Sequence, residues 1–333
     1  MENVILSKQA FAEEICNKLN EMYEGGGYSF TLQEVEKNND VKILAVCVKP
    51  DDGNVAANCY VEASYKDYLK KPDLKESIIE DFCTATMRNL KIPSFDIESI
   101  MNKDYVRANV IPVLVNKDNN KNSLNSLVSG ERSDLAIIYK IQVQNDMLMG
   151  NGSIKVKPEH LTYLGMTQAE LHEAAMSNLS KQGFNIKSME SFLFRMMSDD
   201  NSAALSESQG IDLSKLKNTN MPLFVITNNS LCDGANVLLQ EDKLKEIGDA
   251  LGFDYVIIPS SIHEVLLVTE ENLDNIETYN QMVREVNATQ VTKEERLSDH
   301  VYVYSVDAGK LLTDTEYQAL SEGEDIDHFK GIS

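Results

Sequence analysis

The sequence has few of the residues that mark disulfide-rich, zinc-ribbon and membrane proteins. Its 333 residues include no tryptophan, seven prolines and five cysteines. No Cys-x-x-Cys pair occurs, which argues against a zinc ribbon or a thioredoxin-type site. No apolar run approaches the roughly 20 residues that span a bilayer, and the N-terminus lacks the pattern of a signal peptide. Scattered cysteines are typical of a reducing compartment, so we expect a soluble cytoplasmic protein with no membrane partner.

Positive charge is also scarce. Lys and Arg total 31 against 53 Asp and Glu, which gives a net charge of −22 and a pI near 4.6. Such a field repels the phosphate backbone of nucleic acids, so we expect no nucleic-acid partner. The same field favours a protein partner with a basic surface. Hydrophobic residues at 42% and charged residues at 25% are ordinary values for a globular protein.

The first third of the chain predicts a helix, a β-hairpin and a second helix. Ser7 is placed to cap the first helix, whose apolar residues recur at helical spacing. Strands are predicted over Tyr28–Glu36 and Val41–Lys49, because the residues between them are typical of a hairpin turn. Pro72 is placed to open the second helix.

The middle third carries three clear local patterns. Pro112 lies inside the apolar run Val110–Val115 and indicates an edge strand or the start of a strand, because proline has no N–H to donate. Alternation over Asp134–Gln144 predicts a half-buried antiparallel strand. Thr167 and Glu170 form a capping box, which marks the N-terminus of a helix.

The last third predicts short strands that alternate with helices. Helices are expected over Asp242–Leu251, closed by Gly252, and over Glu270–Val286. Thr292–Glu295 resembles a second capping box, and the acidic chain beyond Thr313 is expected to fray. The predicted strands are Leu223–Thr227, Gly234–Leu239, Tyr255–Pro259, Ile262–Thr269 and Val301–Val306.

These elements indicate an α+β fold, with several short, mostly antiparallel strands and flanking helices in two or three packed sections. The order does not repeat as β-α-β, so a parallel sheet is not expected. The predicted division is an N-terminal α+β section over 1–105, a middle α+β section over 106–197, a polar linker over 198–220, a C-terminal α+β section over 221–312 and an acidic tail over 313–333.

The segment Pro259–Val265 places hydroxyls, an imidazole and a carboxylate at a predicted turn. Nucleophilic catalysis needs a hydroxyl near a base and a third group that orients the base. Ser261 and His263 share one face of an extended strand, whereas Glu264 faces the other way. A catalytic site here would therefore combine Ser261 and His263 with a distant carboxylate, for which Asp299 and Asp254 are the candidates. The alternative is a β-turn whose serines bond to the backbone.

Metal and cofactor motifs are missing from the sequence. None of the five histidines forms an HExxH motif. The glycines at 25–27 precede a strand, which is the wrong order for a phosphate-binding loop. We therefore expect no cofactor and no metal. One divalent arrangement stays open, because His300 would lie near His263 if the last strand paired with the strand that begins at Ile262.

A cluster of tyrosines is the candidate interface. Tyr60, Tyr65 and Tyr68 offer apolar area together with a hydroxyl, a combination that is common at protein interfaces. Burial in a core or at its rim is the alternative interpretation of these residues.

Several segments together resemble an uncharacterised domain-of-unknown-function family of low-GC Gram-positive gut bacteria, whose members are hypothetical or mobile-element-associated proteins. The resemblance covers roughly residues 60 to 305 and implies no activity, since none is established for the family. Family members read Asp-Ser-Val-Tyr where this chain has Asp299–Tyr302, so the resemblance does not support His300 as a shared metal ligand. The segments are Pro222–Asn228, Gly234–Ala235, Ile257–Val268 and Met282–Val291, with further matches at Leu114–Asn116, Leu135–Tyr139 and Leu297–Tyr302.

Three functions fit the sequence. The first is a non-enzymatic binding or regulatory protein that acts through protein contacts, because no complete catalytic constellation is visible. The second is a hydrolase-like enzyme centred on Ser261 and His263. The third is a small-ligand sensor with a pocket between sections.

Overall fold

The computed structural model describes residues 5–53, 55–90, 97–143, 152–192, 213, 216, 222–270, 273 and 276–323. The described chain is α+β, with three antiparallel sheets and flanking helices, as the sequence predicts. It divides into two units, which comprise the described residues within 1–37, 41–100 and 143–152, and within 38–40, 101–142 and 153–333. Most of the predicted linker 198–220 lies outside the described residues.

The first unit contains a three-stranded sheet in the order β1-β2-β3. The predicted hairpin is confirmed, with a register that runs from Tyr28 opposite Pro50 to Glu36 opposite Lys42. The predicted cap is confirmed as well, since the Ser7 hydroxyl accepts a hydrogen bond from the backbone N–H of Ala10. The elements are α1 (Lys8–Met22), β1 (Tyr28–Glu36), β2 (Lys42–Pro50), β3 (Ala57–Tyr60), α2 (Glu62–Lys70), a 3-10 turn (Pro72–Leu74), α3 (Lys75–Asn89) and α4 (Ile97–Ile100).

The second unit contains the other two sheets, whose strands run in the orders β4-β6-β5 and β13-β12-β10-β11-β9-β8. A further strand, β7, pairs with β6. The helices are α5 (Lys103–Asn109), α6 (Lys121–Leu124), α7 (Pro158–Leu164), α8 (Gln168–Leu179), α9 (Glu241–Leu251), α10 (Ile276–Thr289) and α11 (Asp314–Ser321). The strands are β4 (Val110–Asn116), β5 (Ser129–Arg132), β6 (Leu135–Val143), β7 (Gly152–Lys155), β8 (Asn185–Ser188), β9 (Leu223–Thr227), β10 (Tyr255–Ile258), β11 (Val265–Val268), β12 (Tyr302–Ser305) and β13 (Lys310–Thr313). Short 3-10 helices cover Asn38–Asp40, Asp118–Asn120, Ser180–Gln182, Gly234–Leu239 and Lys293–Glu295.

Local patterns in the second unit placed several of these elements correctly. Strand β4, which contains Pro112, lies at the edge of its sheet. The capping box of Thr167 and Glu170 forms at the start of α8. Gly252 ends α9 with a left-handed φ of 70°, a conformation that glycine adopts without steric cost.

Other expectations for this unit were wrong. Residues Gly234–Leu239 form a buried 3-10 helix and not a strand. The side chain of Thr292 makes no capping bond, although a short 3-10 helix follows it. The chain after Thr313 forms α11 with a complete capping box, where the sequence predicted a frayed tail. Residues 324–333 of that tail lie outside the described residues.

The pairing of β9 with β11 positions the site described below. The two strands are antiparallel neighbours, with Val265 opposite Ile226 and Val268 opposite Leu223. The end of β9 therefore lies beside the start of β11. For this reason the loop that follows β9 and the turn that precedes β11 meet at one end of the six-stranded sheet. Among the described residues, no helix combines the length and apolar character that a membrane crossing needs.

Candidate functional site

Two loops make close backbone contact at this end of the sheet. The Thr227 hydroxyl donates a hydrogen bond of 2.8 Å to the carbonyl of His263, and the N–H of Ala235 donates one of 3.1 Å to the carbonyl of Ile262. A Cβ atom on Gly234 would overlap both the His263 carbonyl and the Thr227 hydroxyl. Only glycine fits at this position, because the space that a side chain needs is already filled.

The predicted turn before β11 is held by its own serines. The Ser261 hydroxyl accepts a 2.9 Å bond from the backbone N–H of His263 and donates one of 2.8 Å to the Glu264 carboxylate. The Ser260 hydroxyl donates to the same carboxylate oxygen at 3.1 Å. Ser261 itself is buried. Its hydroxyl proton is therefore directed to Glu264. Among the described residues, no hydrogen bond joins the Ser261 hydroxyl to the His263 ring.

The imidazole of His263 lies instead beside two residues of the other loop. One ligand atom each of Cys232, Asp233 and His263 lies within 4.8 Å of the other two. The backbone N–H of Asp233 also donates a 3.2 Å bond to Nδ1 of His263. Because Nδ1 accepts this bond, it carries no proton, and the proton of the neutral ring is on Nε2. Nε2 therefore cannot accept a proton from a nucleophile. This hydrogen bond does not favour His263 as the general base for Ser261, and it holds the ring beside Cys232 and Asp233.

The three residues differ in exposure. Asp233 is buried and 6% exposed, whereas Cys232 is exposed as a residue. Atoms packed around the Cys232 thiol and the charge of Asp233 raise its pKa, although Lys140 lowers it in part. The thiol is therefore protonated at neutral pH, and a bound metal ion would have to displace that proton.

A buried ion pair anchors Asp233. Nζ of Lys140 lies 2.8 and 2.7 Å from the two carboxylate oxygens, and the two side chains are 18% and 9% exposed. The alternation of β6 placed Lys140 correctly on the face opposite Tyr139, but that face is covered as well. A partly buried carboxylate needs such a partner, because leaving it unpaired costs several kcal/mol.

The loop that carries Cys232 and Asp233 has an unusual backbone. Leu231 and Asp233 have φ angles of 56° and 51°, in the left-handed region that residues other than glycine rarely adopt. Asn228 supports the loop, since its amide donates to the Cys232 carbonyl at 2.8 Å and its oxygen accepts from the N–H of Ser230. Strained positions of this kind occur frequently at functional sites.

The remaining predicted site residues lie in other surroundings. Asp299 is exposed and accepts a 2.7 Å bond from the amide of Asn287. No hydrogen bond among the described residues links Asp299 to Ser261 or His263. A catalytic role for these three residues stays a prediction that the hydrogen bonds do not favour.

The three tyrosines divide between the core and the surface of the first unit. Tyr68 stacks on Phe11 with ring centroids 5.0 Å apart, and its hydroxyl accepts from the N–H of Leu6. The Tyr65 hydroxyl donates to the carbonyl of Leu6. Tyr60 is 39% exposed. An interface role stays a prediction, and among the three Tyr60 is the most available for it.

A second polar cluster surrounds His300. Its Nε2 lies 3.1 Å from the Asp134 carboxylate, and its Nδ1 lies 3.0 Å from the Val301 carbonyl and 3.5 Å from Asp314. The Tyr302 hydroxyl donates to the same oxygen of Asp134 at 2.9 Å. Burial alone would lower the pKa of His300, but the hydrogen bond and the charge of Asp134 raise this pKa to about 9. His300 is therefore a cation at neutral pH that links Asp134, the residue before β6, to Asp314, the first residue of α11.

This cluster corrects one arrangement left open by the sequence. Strand β12 pairs with β10, not with β11. The pairing that would have brought His300 beside His263 is therefore wrong. No sequence motif marks the group of Cys232, Asp233 and His263, because His263 lies 30 residues after Asp233 and the three follow no metal-ligand spacing.

The charge of His300 predicts a pH dependence of stability. A pKa raised from 6.5 to about 9 means that the folded chain holds a proton that the unfolded chain loses. The stabilisation of the folded chain by this proton is complete below pH 6.5 and disappears as the pH rises through 9. We expect His300→Gln to lower the free energy of unfolding by about 3 kcal/mol at pH 6 and by little at pH 9.5. Urea denaturation across this range measures both values.

His160→Gln is the matched control for this variant. Burial lowers the pKa of His160, so its replacement should not cost stability preferentially at low pH. An equal loss for His300→Gln at pH 6 and pH 9.5 would contradict a charged role for His300.

The close backbone approach at Gly234 predicts a strong effect of a single methyl group. We expect Gly234→Ala to lower the free energy of unfolding by about 3 kcal/mol, because neither the carbonyl of His263 nor Thr227 can move without disturbing the strands. Gly130→Ala is the control, since the nearest atom to its new Cβ is 3.8 Å away. Equal denaturation midpoints for the two variants would show that the loops separate easily.

Comparison with known proteins gives a family and no activity. Neither the curated proteins nor the solved structures include a significant match to the chain. One family model matches residues 8–306, a range that includes the Cys232 loop, the serine turn and the His300 cluster. The match covers most of the sequence, so the chain belongs to DUF5688, a family of unknown function.

Proposed function

We propose that this protein binds one thiophilic divalent metal ion, for which zinc is the best fit, through Cys232, Asp233 and His263. The observation that carries the proposal is the meeting of a thiol, a carboxylate and an imidazole within 4.8 Å. The ligands come from two loops that the β9–β11 pairing and the Gly234 contact hold together. We therefore interpret the site as part of the fold and not as a chance approach of surface groups.

The donor set favours zinc over other common cations. Calcium and magnesium prefer sites built from oxygen atoms, whereas zinc is bound by sulfur, nitrogen and oxygen together. Three protein ligands leave a fourth position for water or for a group from a ligand or partner. The site therefore supports either metal-dependent binding or Lewis-acid chemistry, and we propose the first.

Metal binding would require several local changes around Cys232, Asp233 and His263. Ligand atoms at about 2.0–2.3 Å from a tetrahedral zinc lie roughly 3.3–3.8 Å from one another, so the two loops would close slightly. A metal at Nδ1 of His263 would replace the 3.2 Å hydrogen bond from Asp233, whose loss costs about 1 kcal/mol. Zinc would also have to displace the thiol proton of Cys232 and the Lys140 ammonium from the Asp233 carboxylate.

A metal-dependent binding or regulatory role agrees with the other properties of the chain. All five cysteines are free thiols, which suits the reducing interior of a bacterial cell. We infer a cytoplasmic protein on this basis. The acidic net charge of −22 favours a partner protein with a basic surface over a nucleic acid.

The proposal predicts stoichiometric binding that depends on named ligands. Titration of the purified chain with Co²⁺, a spectroscopic stand-in for zinc, should produce a thiolate-to-metal absorption band that saturates at one equivalent and that zinc removes. We expect Cys232→Ser to abolish the band, and His263→Ala to weaken zinc binding by roughly a hundredfold or more, because each removes one of three ligands.

Two variants serve as controls for thiol and imidazole chemistry elsewhere. Cys59→Ser and His160→Ala remove a cysteine and a histidine that are not part of the cluster, so both should bind metal like the unchanged chain. The proposal fails if the unchanged chain shows no saturable band, or if the Cys232→Ser, His263→Ala double variant retains full affinity for zinc.

A further inference from the structure

We propose that Lys140 is a built-in competitor of the metal, so that metal binding at Asp233 and the Lys140–Asp233 ion pair oppose one another. This inference rests on the proposed metal site and names its regulation. Metal binding would then replace the Lys140 ammonium by a metal ion at the Asp233 carboxylate.

The ion pair occupies both oxygens of the carboxylate that the metal needs. The distances of 2.8 and 2.7 Å from Nζ of Lys140 to the two oxygens of Asp233 are those of strong charge-assisted hydrogen bonds. It is also the most buried Lys–carboxylate pair among the described residues, with side chains 18% and 9% exposed. Water therefore screens the ammonium charge less than it does at the other pairs.

A dication on Asp233 would face this ammonium at short range. The metal would lie about 2 Å from a carboxylate oxygen, while Nζ of Lys140 lies 2.7 Å from one. Two like charges so close in a partly buried site repel strongly, so either Lys140 moves away or the metal binds weakly.

Lysine is the residue type that can make this exchange. Its four-carbon stem is flexible, so its ammonium can leave the carboxylate and reach water while β6 stays in place. The coupling is reciprocal. If the ion pair lowers the affinity of the site for the metal ion by some factor, a bound metal ion weakens the ion pair by the same factor. A chemical event that neutralises Lys140, such as acylation of its amine, would correspondingly strengthen metal binding.

The inference is tested on the unchanged protein by amine labelling. The full chain is treated briefly with an amine-reactive ester, with and without saturating zinc chloride, and the modified lysines are quantified by mass spectrometry. We expect labelling of Lys140 to rise about fivefold or more with zinc, which is the low end of ordinary coupling between two binding events. Lys245, which is exposed and paired with Asp249, should label equally in both samples.

A variant gives an independent measurement of the same coupling. Lys140→Met keeps the apolar stem and removes the charge, so zinc should bind about tenfold more tightly than to the unchanged chain, whereas Lys140→Arg should show no gain. If Lys140→Met unfolds without metal, zinc should restore its folded circular-dichroism spectrum, and failure to do so counts against the inference.

The outcomes separate the inference from the function on which it rests. Saturable zinc binding with unchanged or reduced labelling of Lys140 overturns the competition and leaves the metal site intact. If a folded Lys140→Met protein binds zinc as tightly as the unchanged chain or more weakly, the competition is likewise overturned and the metal site stands. Failure of the unchanged chain to bind zinc or cobalt at all overturns both.

Discussion

The buried ion pair between Lys140 and Asp233 is the interaction on which the candidate site depends. It joins a strand of the four-stranded sheet to a loop of the six-stranded sheet, and it fixes the position of a loop with two left-handed residues. Without the ammonium, the Asp233 carboxylate would be buried without a counter-charge, which is strongly destabilising. The ion pair stabilises the loop, and it also occupies both oxygens of the Asp233 carboxylate. Any other cation at this carboxylate must therefore compete with Lys140.

Two further constraints act on the same region. The absence of a side chain at Gly234 lets the loop after β9 contact the turn before β11, and the serines of that turn direct His263 toward Cys232 and Asp233. The cluster around His300 acts elsewhere in the second unit, where a single imidazolium bridges Asp134 and Asp314. The group of Cys232, Asp233 and His263 is thus the proposed site for an added cation, whereas the cluster around His300 contains the imidazolium of the protein itself.

Sequence patterns predicted those elements whose signal is local. The β1–β2 hairpin, the capping box at Thr167 and the edge position of Pro112 each depend on a few neighbouring residues. The run Gly234–Leu239 was misassigned because a short apolar segment fits a strand or a buried helix equally well. The candidate site could not be predicted, since Lys140, Cys232 and His263 meet only through strand pairing between distant segments. The segment around His263 is unusual in sequence, but nothing in it indicates Cys232 and Asp233 as neighbours.

The edge strand β4 has a consequence for how the protein behaves at high concentration. The carbonyl of Pro112 accepts a hydrogen bond from the buried amide of Asn236, so it faces away from β6. In a strand the N–H and C=O of one residue point to the same side, so the missing N–H of Pro112 also faces outward. This outer edge offers an approaching chain neither a donor nor a free acceptor at its centre. The lack of a donor and of a free acceptor at Pro112 disfavours the addition of another strand along this edge.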